Sequence, residues 1–274
     1  MLAGLAGSAQ ALEKTDEKQG TSCAFGQAHL ATHNFGAVKG VSQGPLINLE
    51  AGSSLRLAGL VIPASPRNRK DAEAVKNAKA ALTYLRKTVA GGSLAAHPSF
   101  TADRHGRKWA QLFLTDSETN KQIWLQAALV EAGYARVSPA GRGSSCVSSL
   151  LELEAKARAA KVGLWGQNRF AVVDAWATRK LRRRENSFQL VRGKVTGVAE
   201  TKRVTYVNFG RDWRTDFTVN ISARAAKRFK KAGFKPADLK GKTVRVRGWV
   251  PYANGPMIRV STAEQIEILE SHDK

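Results

Sequence analysis

The segment Val244-Arg245-Val246-Arg247-Gly248-Trp249-Val250 alternates apolar and charged residues, and strand geometry sends every second side chain to the same face. The valines are therefore expected to meet a core while Arg245, Arg247 and Trp249 line the opposite side. Arginines track a phosphate backbone and an indole stacks on bases, a combination that binds single strands with little sequence preference. Tyr206 and Trp213 can extend the same platform. The alternative use of Trp249 is packing, against the first domain or a covering helix.

Composition supports a polyanionic partner. The 274 residues carry 44 Lys and Arg against 22 Asp and Glu, a formal net charge of +22. From residue 167 onward the counts are 24 and 10, so much of the excess sits in the C-terminal part. Nucleic acid, anionic lipid headgroups and acidic glycans are the partners that such a charge concentrates around a protein. No uninterrupted apolar run approaches the roughly 18 residues that span a bilayer, so a helical membrane span is excluded.

Two other pairs of residues have spacing that invites chemistry. His29 and His33 lie four apart, but no third ligand type stands near them, and solvent-exposed histidines are expected. Cys23 and Cys146 are the only cysteines and close a long loop, so they are a disulfide candidate in an oxidising compartment; two unpaired buried thiols are the alternative. Export is suggested by residues 1–11, which are small and apolar and end in Ala9-Gln10-Ala11, the chemistry of a signal-peptide cleavage site, although a basic start is missing. A periplasmic or extracellular location is therefore expected. A frayed N-terminus is the other reading.

The elements that must position these residues can be placed from periodicity. Residues 12–42 show no sustained period and read as an N-terminal tether. Strands are expected from Leu46, with a hairpin turn at Ala51-Gly52-Ser53-Ser54 leading into Leu55–Leu60. Ala74, Val75, Ala78, Leu82 and Leu85 predict a helix over Asp71–Val89, closed by Gly91-Gly92. Strands at Ser93–Ser99 and Lys108–Thr115, a short helix ending at Gly133, a strand at Tyr134–Val137, and a helix capped by Ser144-Ser145 and stopped by Gly163 complete the first domain.

A basic joint, 167–187, leads to strands near 188–198, 203–210, 215–221, 242–250 and 256–268, with the helix Ala223–Ala232 between the third and fourth; residues 270–274 form a tail. The expected class is mainly β with helices (α+β): an OB-like five-stranded barrel over 43–166, then a second small barrel-like domain over 188–269.

Four segments in order resemble the staphylococcal nuclease-like (thermonuclease) family. They are Leu55-Arg56-Leu57-Ala58-Gly59 with Pro63; Asp103-Arg104-His105-Gly106-Arg107; Leu129 to Val137; and Glu154-Ala155-Lys156-Ala157-Arg158 with Gly163-Leu164-Trp165. The stretch from Tyr206-Val207-Asn208-Phe209-Gly210 through Phe217 is similar to C-terminal extensions of some bacterial members. The resemblance implies that Arg56 and Arg107 grip a phosphodiester, because a guanidinium fork matches phosphate oxygens and neutralises the charge of a pentacoordinate transition state. Pairing of each arginine with a local carboxylate is the plainer alternative.

It also implies where the family's acids belong, and they are absent. Pro45 and Val61 occupy the two acidic calcium-ligand positions, and Ala64 occupies the position of the water-activating Glu. A general base contributes about 10² to 10⁴ in rate and a Lewis-acid metal several kcal/mol more, so hydrolysis is expected to be weak or absent while phosphate binding persists. No cofactor is expected; calcium enters only if Glu50, Asp71, Glu73 or Asp103 rebuild the site from a new direction.

The leading expectation is a binder of nucleic acid, single-stranded and without sequence preference. An active phosphodiesterase with a rearranged site and an envelope-associated protein that docks anionic surfaces are the alternatives.

Overall fold

Strand β1 (His33–Ser42) bends to serve two half-sheets, with register shifts at Asn34/Gly36 and Val38/Gly40. Its first half pairs with β5 and its second with β2. The computed structural model describes residues 33–43, 45–63, 71–96, 101–102, 107–115, 122–140, 146–251 and 254–269. Residues 1–11, the rest of the tether to residue 32, Cys23, His29, Ala64, Asp103 to Gly106, the Ser144-Ser145 cap and the tail lie outside them. The tether therefore ends earlier than its sequence suggests: Val41 is buried and Phe35 and Val38 pack on the core. Glycines at the two shifts break the alternation that normally betrays a strand.

The first domain continues with β2 (Leu46–Leu49), β3 (Ser54–Leu57), β4 (Leu60–Val61), helix α1 (Ala72–Val89), β5 (Ser93–Ala96), β6 (Thr101–Ala102), β7 (Lys108–Ala110), β8 (Leu112–Thr115), β9 (Gln122–Trp124), α2 (Leu125–Glu131), β10 (Arg136–Val137) and α3 (Val147–Ala159). The main sheet runs β6-β7-β3-β2-β1-β5-β8-β9, with β4 and β10 paired apart from it. Its core holds Ile47, Leu55, Leu94, Leu112, Leu129 and Leu150, all buried.

Local chemistry explains the helix ends. Asp71 caps α1 by accepting from the Ala74 N–H, and Arg86 and Lys87 sit in its last turn where the dipole favours cations. The expected single strand over 108–115 is split at Gln111, whose side chain turns inward to accept from Trp124 Nε1 and donate to the Ala58 carbonyl. Helix α3 is capped by Cys146 at φ 67° rather than by a serine; Cys146 is disulfide-bonded, and the chain's other cysteine is Cys23. Gly133 and Gly163, both at positive φ, press their backbones together: the Leu164 N–H donates to the Gly133 carbonyl at 2.9 Å, and a Cβ on Gly133 would stand 2.3 Å from the Val162 carbonyl oxygen. Only glycine fits there.

The basic joint is folded into the second domain. It supplies β11 (Val173–Asp174) and α4 (Thr178–Arg183), with Phe170, Val173, Ala175 and Leu181 buried, because apolar residues are interleaved among its charges. There follow β12 (Phe188–Lys194), β13 (Gly197–Glu200), β14 (Val204–Asn208), β15 (Thr218–Ser222), α5 (Ala223–Lys231), β16 (Thr243–Trp249), β17 (Met257–Val260) and β18 (Ile266–Ile268). Two four-stranded sheets result, β11-β12-β16-β18 and β13-β14-β15-β17, around a core with Phe217, Val219, Ile221, Val244 and Ile258. Two long strands of the expected pattern are each broken in two, at Val195-Thr196 and at the capped turn Thr262–Gln265.

A seam joins the domains. Ala74, Ala157, Leu164 and Trp165 of the first meet Phe170, Phe188 and Leu190 of the second in one apolar cluster. Arg136, wholly buried, donates to the Phe188 carbonyl at 2.7 Å and to the Phe170 carbonyl, with its guanidinium over the Trp165 and Phe170 rings at 5.2 and 5.7 Å. Burial pushes its pKa down to about 9, which still leaves it charged at neutral pH.

Arg247 corrects the sequence reading. It does not line an open face: it is 0% exposed, donating to Glu154 of α3 at 2.7 Å, to the Val137 carbonyl at 3.1 Å and to Glu267. Strand β16 has the core on one side and the first domain on the other. At Arg247 alternation therefore separates two buried faces rather than inside from outside.

Candidate nucleic-acid interface

In β3 Leu55 and Leu57 point into the core, which turns Arg56 to the other face, half-buried. The strand pairs with β2 on one side, Leu46 opposite Arg56, and in parallel with β7 on the other, Trp109 opposite Arg56. The Arg56 guanidinium lies over the Trp109 ring, 5.4 Å from its centroid. Stacking on an aromatic face orients the planar fork. Arg107 stands two residues before Trp109, immediately ahead of β7. Arg56 thus lies on the strand next to the one that Arg107 leads into.

The resemblance assigns the two acidic ligand positions to Pro45 and Val61. Pro45 immediately precedes Leu46, the residue opposite Arg56. Val61 pairs with Arg136 and packs against the seam cluster that includes Phe188 of the second domain. Ile62, Pro63, Phe170 and Trp249 surround a cavity of about 160 Å³ beside it, with Asp71 and Arg169 on its wall.

Calcium needs six to eight oxygen ligands, several of them anionic, and the side chains of Pro45 and Val61 offer none. Among the described residues, these two positions give the ion no side-chain oxygen. Asp71, a candidate for rebuilding the site, spends Oδ1 on the α1 cap and Oδ2 on Arg169, at 2.7 Å from Nε. Among the described residues no group of three or more His, Cys, Asp or Glu could hold a metal ion.

The second-domain residues separate into two places. Arg245 is paired with Glu267 at 3.0 Å and lies at the seam beside Lys156, Arg158 and Arg192. Trp249 is 50% exposed, its ring meeting Phe188 edge-on at 6.2 Å, so it packs at the seam while keeping an open side. Tyr206 and Trp213 belong to the other sheet's groove, together with Asn208 and Asn220. They do not extend the Arg245 and Trp249 strip.

The roles of two residues escaped sequence reading. Trp109, which holds Arg56, carries only a weak signal: an aromatic two residues beyond an arginine in a strand. Glu154 carries a stronger one. It occupies the inward stripe of α3 with Val147, Leu150 and Ala157, and a carboxylate there demands a buried cation.

The first domain is α+β with an OB-like sheet. Residues 54–167 match the family model described as staphylococcal nuclease homologue, and this part of the chain is a domain of that family. No curated protein matches the chain. Among the described residues no helix is long and apolar enough to cross a membrane.

Proposed function

We propose that the protein binds nucleic acid through Arg56 and Arg107, with calcium-dependent hydrolysis weak or absent, and that it does so outside the cytoplasm. The carrying observation is a contrast within a few residues. Arg56 stacks on Trp109 of the strand that Arg107 leads into, while Val61, at an acidic ligand position by resemblance, is engaged in packing the second domain. A phosphate group entering there would meet two guanidinium forks and an aromatic wall.

Each fork supplies paired charge-assisted hydrogen bonds, which bind the ground-state phosphodiester without any metal. Water activation is the missing half. The base position holds Ala64, and the nearby Asp71 is already bonded to Arg169 and to its own helix. An exported setting suits the disulfide at Cys146.

The test is binding of a labelled single strand over a salt series, beside digestion of plasmid and denatured DNA with calcium, magnesium or manganese. Affinity should fall steeply with salt as counterions are released. Salt-independent binding, or no binding, contradicts the proposal. Cleavage abolished by Arg56→Ala would instead establish a rearranged hydrolase.

A further inference from the structure

The sheet β13-β14-β15-β17 turns one face to a groove of about 470 Å³, well separated in the chain from Arg56 and Arg107. Its strands are in register, and one row across them reads Ala199, Tyr206, Asn220, Arg259. The next row holds Asn208, Thr218 and Met257. Trp213 and Asn254 close the rim.

Three features of this groove point to one ligand chemistry. Two aromatic rings stand open at it, Tyr206 at 37% and Trp213 at 56% exposure, where burial would be the norm for rings with only a packing role. The carboxamides of Asn220 and Asn254 make no hydrogen bond among the described residues, so paired donors and acceptors face the groove unspent. Cations stand at its edge rather than in its lining: Arg214 covers one face of Trp213 at 5.0 Å, and Arg259 ends the row, about 10 Å or two strand spacings from Tyr206.

We infer that the groove holds an unpaired nucleobase. A base has two π faces for Tyr206 and Trp213 and an edge of donors and acceptors that a carboxamide matches, while its phosphates reach Arg214 and Arg259. A neutral sugar could use the rings and amides but has no use for the cations. The inference rests on the nucleic-acid reading above for the class of ligand, but not on the Arg56 clamp.

The experiment uses the full chain and three labelled probes in anisotropy titrations at fixed low salt: a mixed-sequence DNA strand, the same sequence as a duplex, and an abasic sugar-phosphate strand of equal length. Tyr206→Ala and Trp213→Ala are each expected to weaken the mixed strand about tenfold and leave the duplex and the abasic strand unchanged. Unaltered thermal midpoints show that these variants are folded, and Asn220→Ala should change the ratio of oligo-dA to oligo-dT affinity severalfold. Arg56→Ala should weaken all three probes; if it weakens none, the clamp fails while the groove stands. Mixed-strand affinity equal to wild type in both aromatic variants overturns the groove. So does an equal loss with the abasic strand, displacement of the strand by a neutral oligosaccharide, or no binding of any probe by the wild type.

Discussion

Arg247 of β16 and Glu154 of α3 meet at 2.7 Å with both side chains wholly buried, locking the second domain onto the nuclease-like one. Glu154 also accepts from the Val137 N–H at 2.8 Å and bonds Arg158 at 3.3 Å, and Glu267 engages both Arg247 and Arg245. Desolvation opposes the charge on Arg247, but Glu154 and Glu267 outweigh it and hold the guanidinium pKa above its ordinary value.

Arg247→Ala should therefore lower unfolding stability by about 3 to 5 kcal/mol, since it strands a buried carboxylate. Arg245→Ala, which removes a partly solvated partner of Glu267, should cost about 1 kcal/mol or less. Denaturant titration of both variants checks the contrast; equal losses would remove Arg247 from its role as the lock.

Acid should loosen the same seam. Burial alone raises the Glu267 pKa, yet the charge and hydrogen bond of Arg247 and the charge of Arg245 bring it below the ordinary value. A depressed carboxylate binds fewer protons in the folded state, so its contribution is present above the unfolded pKa of about 4.3 and is lost as pH falls through that value and below. Thermal midpoints measured from pH 6 down to pH 3 should fall, and Glu267→Gln should make the slope shallower.

Restoring one acid should not restore an enzyme. Val61→Asp places a carboxylate against the seam cluster, where it should destabilise the fold by about 1 to 3 kcal/mol and add no calcium-dependent cleavage. Unfolding and digestion assays on one preparation test both halves.

The bonded Cys146 sits where α3 begins. Cys146→Ser should lower stability by about 2 to 4 kcal/mol, and reductant should do the same to the wild type but not to the variant. Denaturation with and without reductant gives the comparison.

What could be read from the chain followed local rules. Helix α1 was legible from its 3.6-residue stripe, and Gly133 and Gly163 as helix ends, whereas the Asp71 cap and the contact between the two glycine backbones emerge only in the fold. Arg56 and Arg107 were singled out by resemblance alone. The seam was not, because the partners of Arg247 lie in another domain and on another strand, 93 and 20 residues away. A strand covered on both faces keeps its alternation while losing its meaning. The groove was half legible: Tyr206 and Trp213 were visible as aromatics, but only the cross-strand register separates them from Trp249 and brings them to Asn220.

The most direct test of the central claim compares wild type with Arg56→Ala/Arg107→Ala for single-strand affinity and for DNA cleavage, each with calcium and with chelator. The account expects wild-type binding that is indifferent to calcium, lost at least tenfold in the double variant, and intact DNA throughout. Calcium-dependent cleavage by the wild type, or full affinity in the double variant, would contradict it.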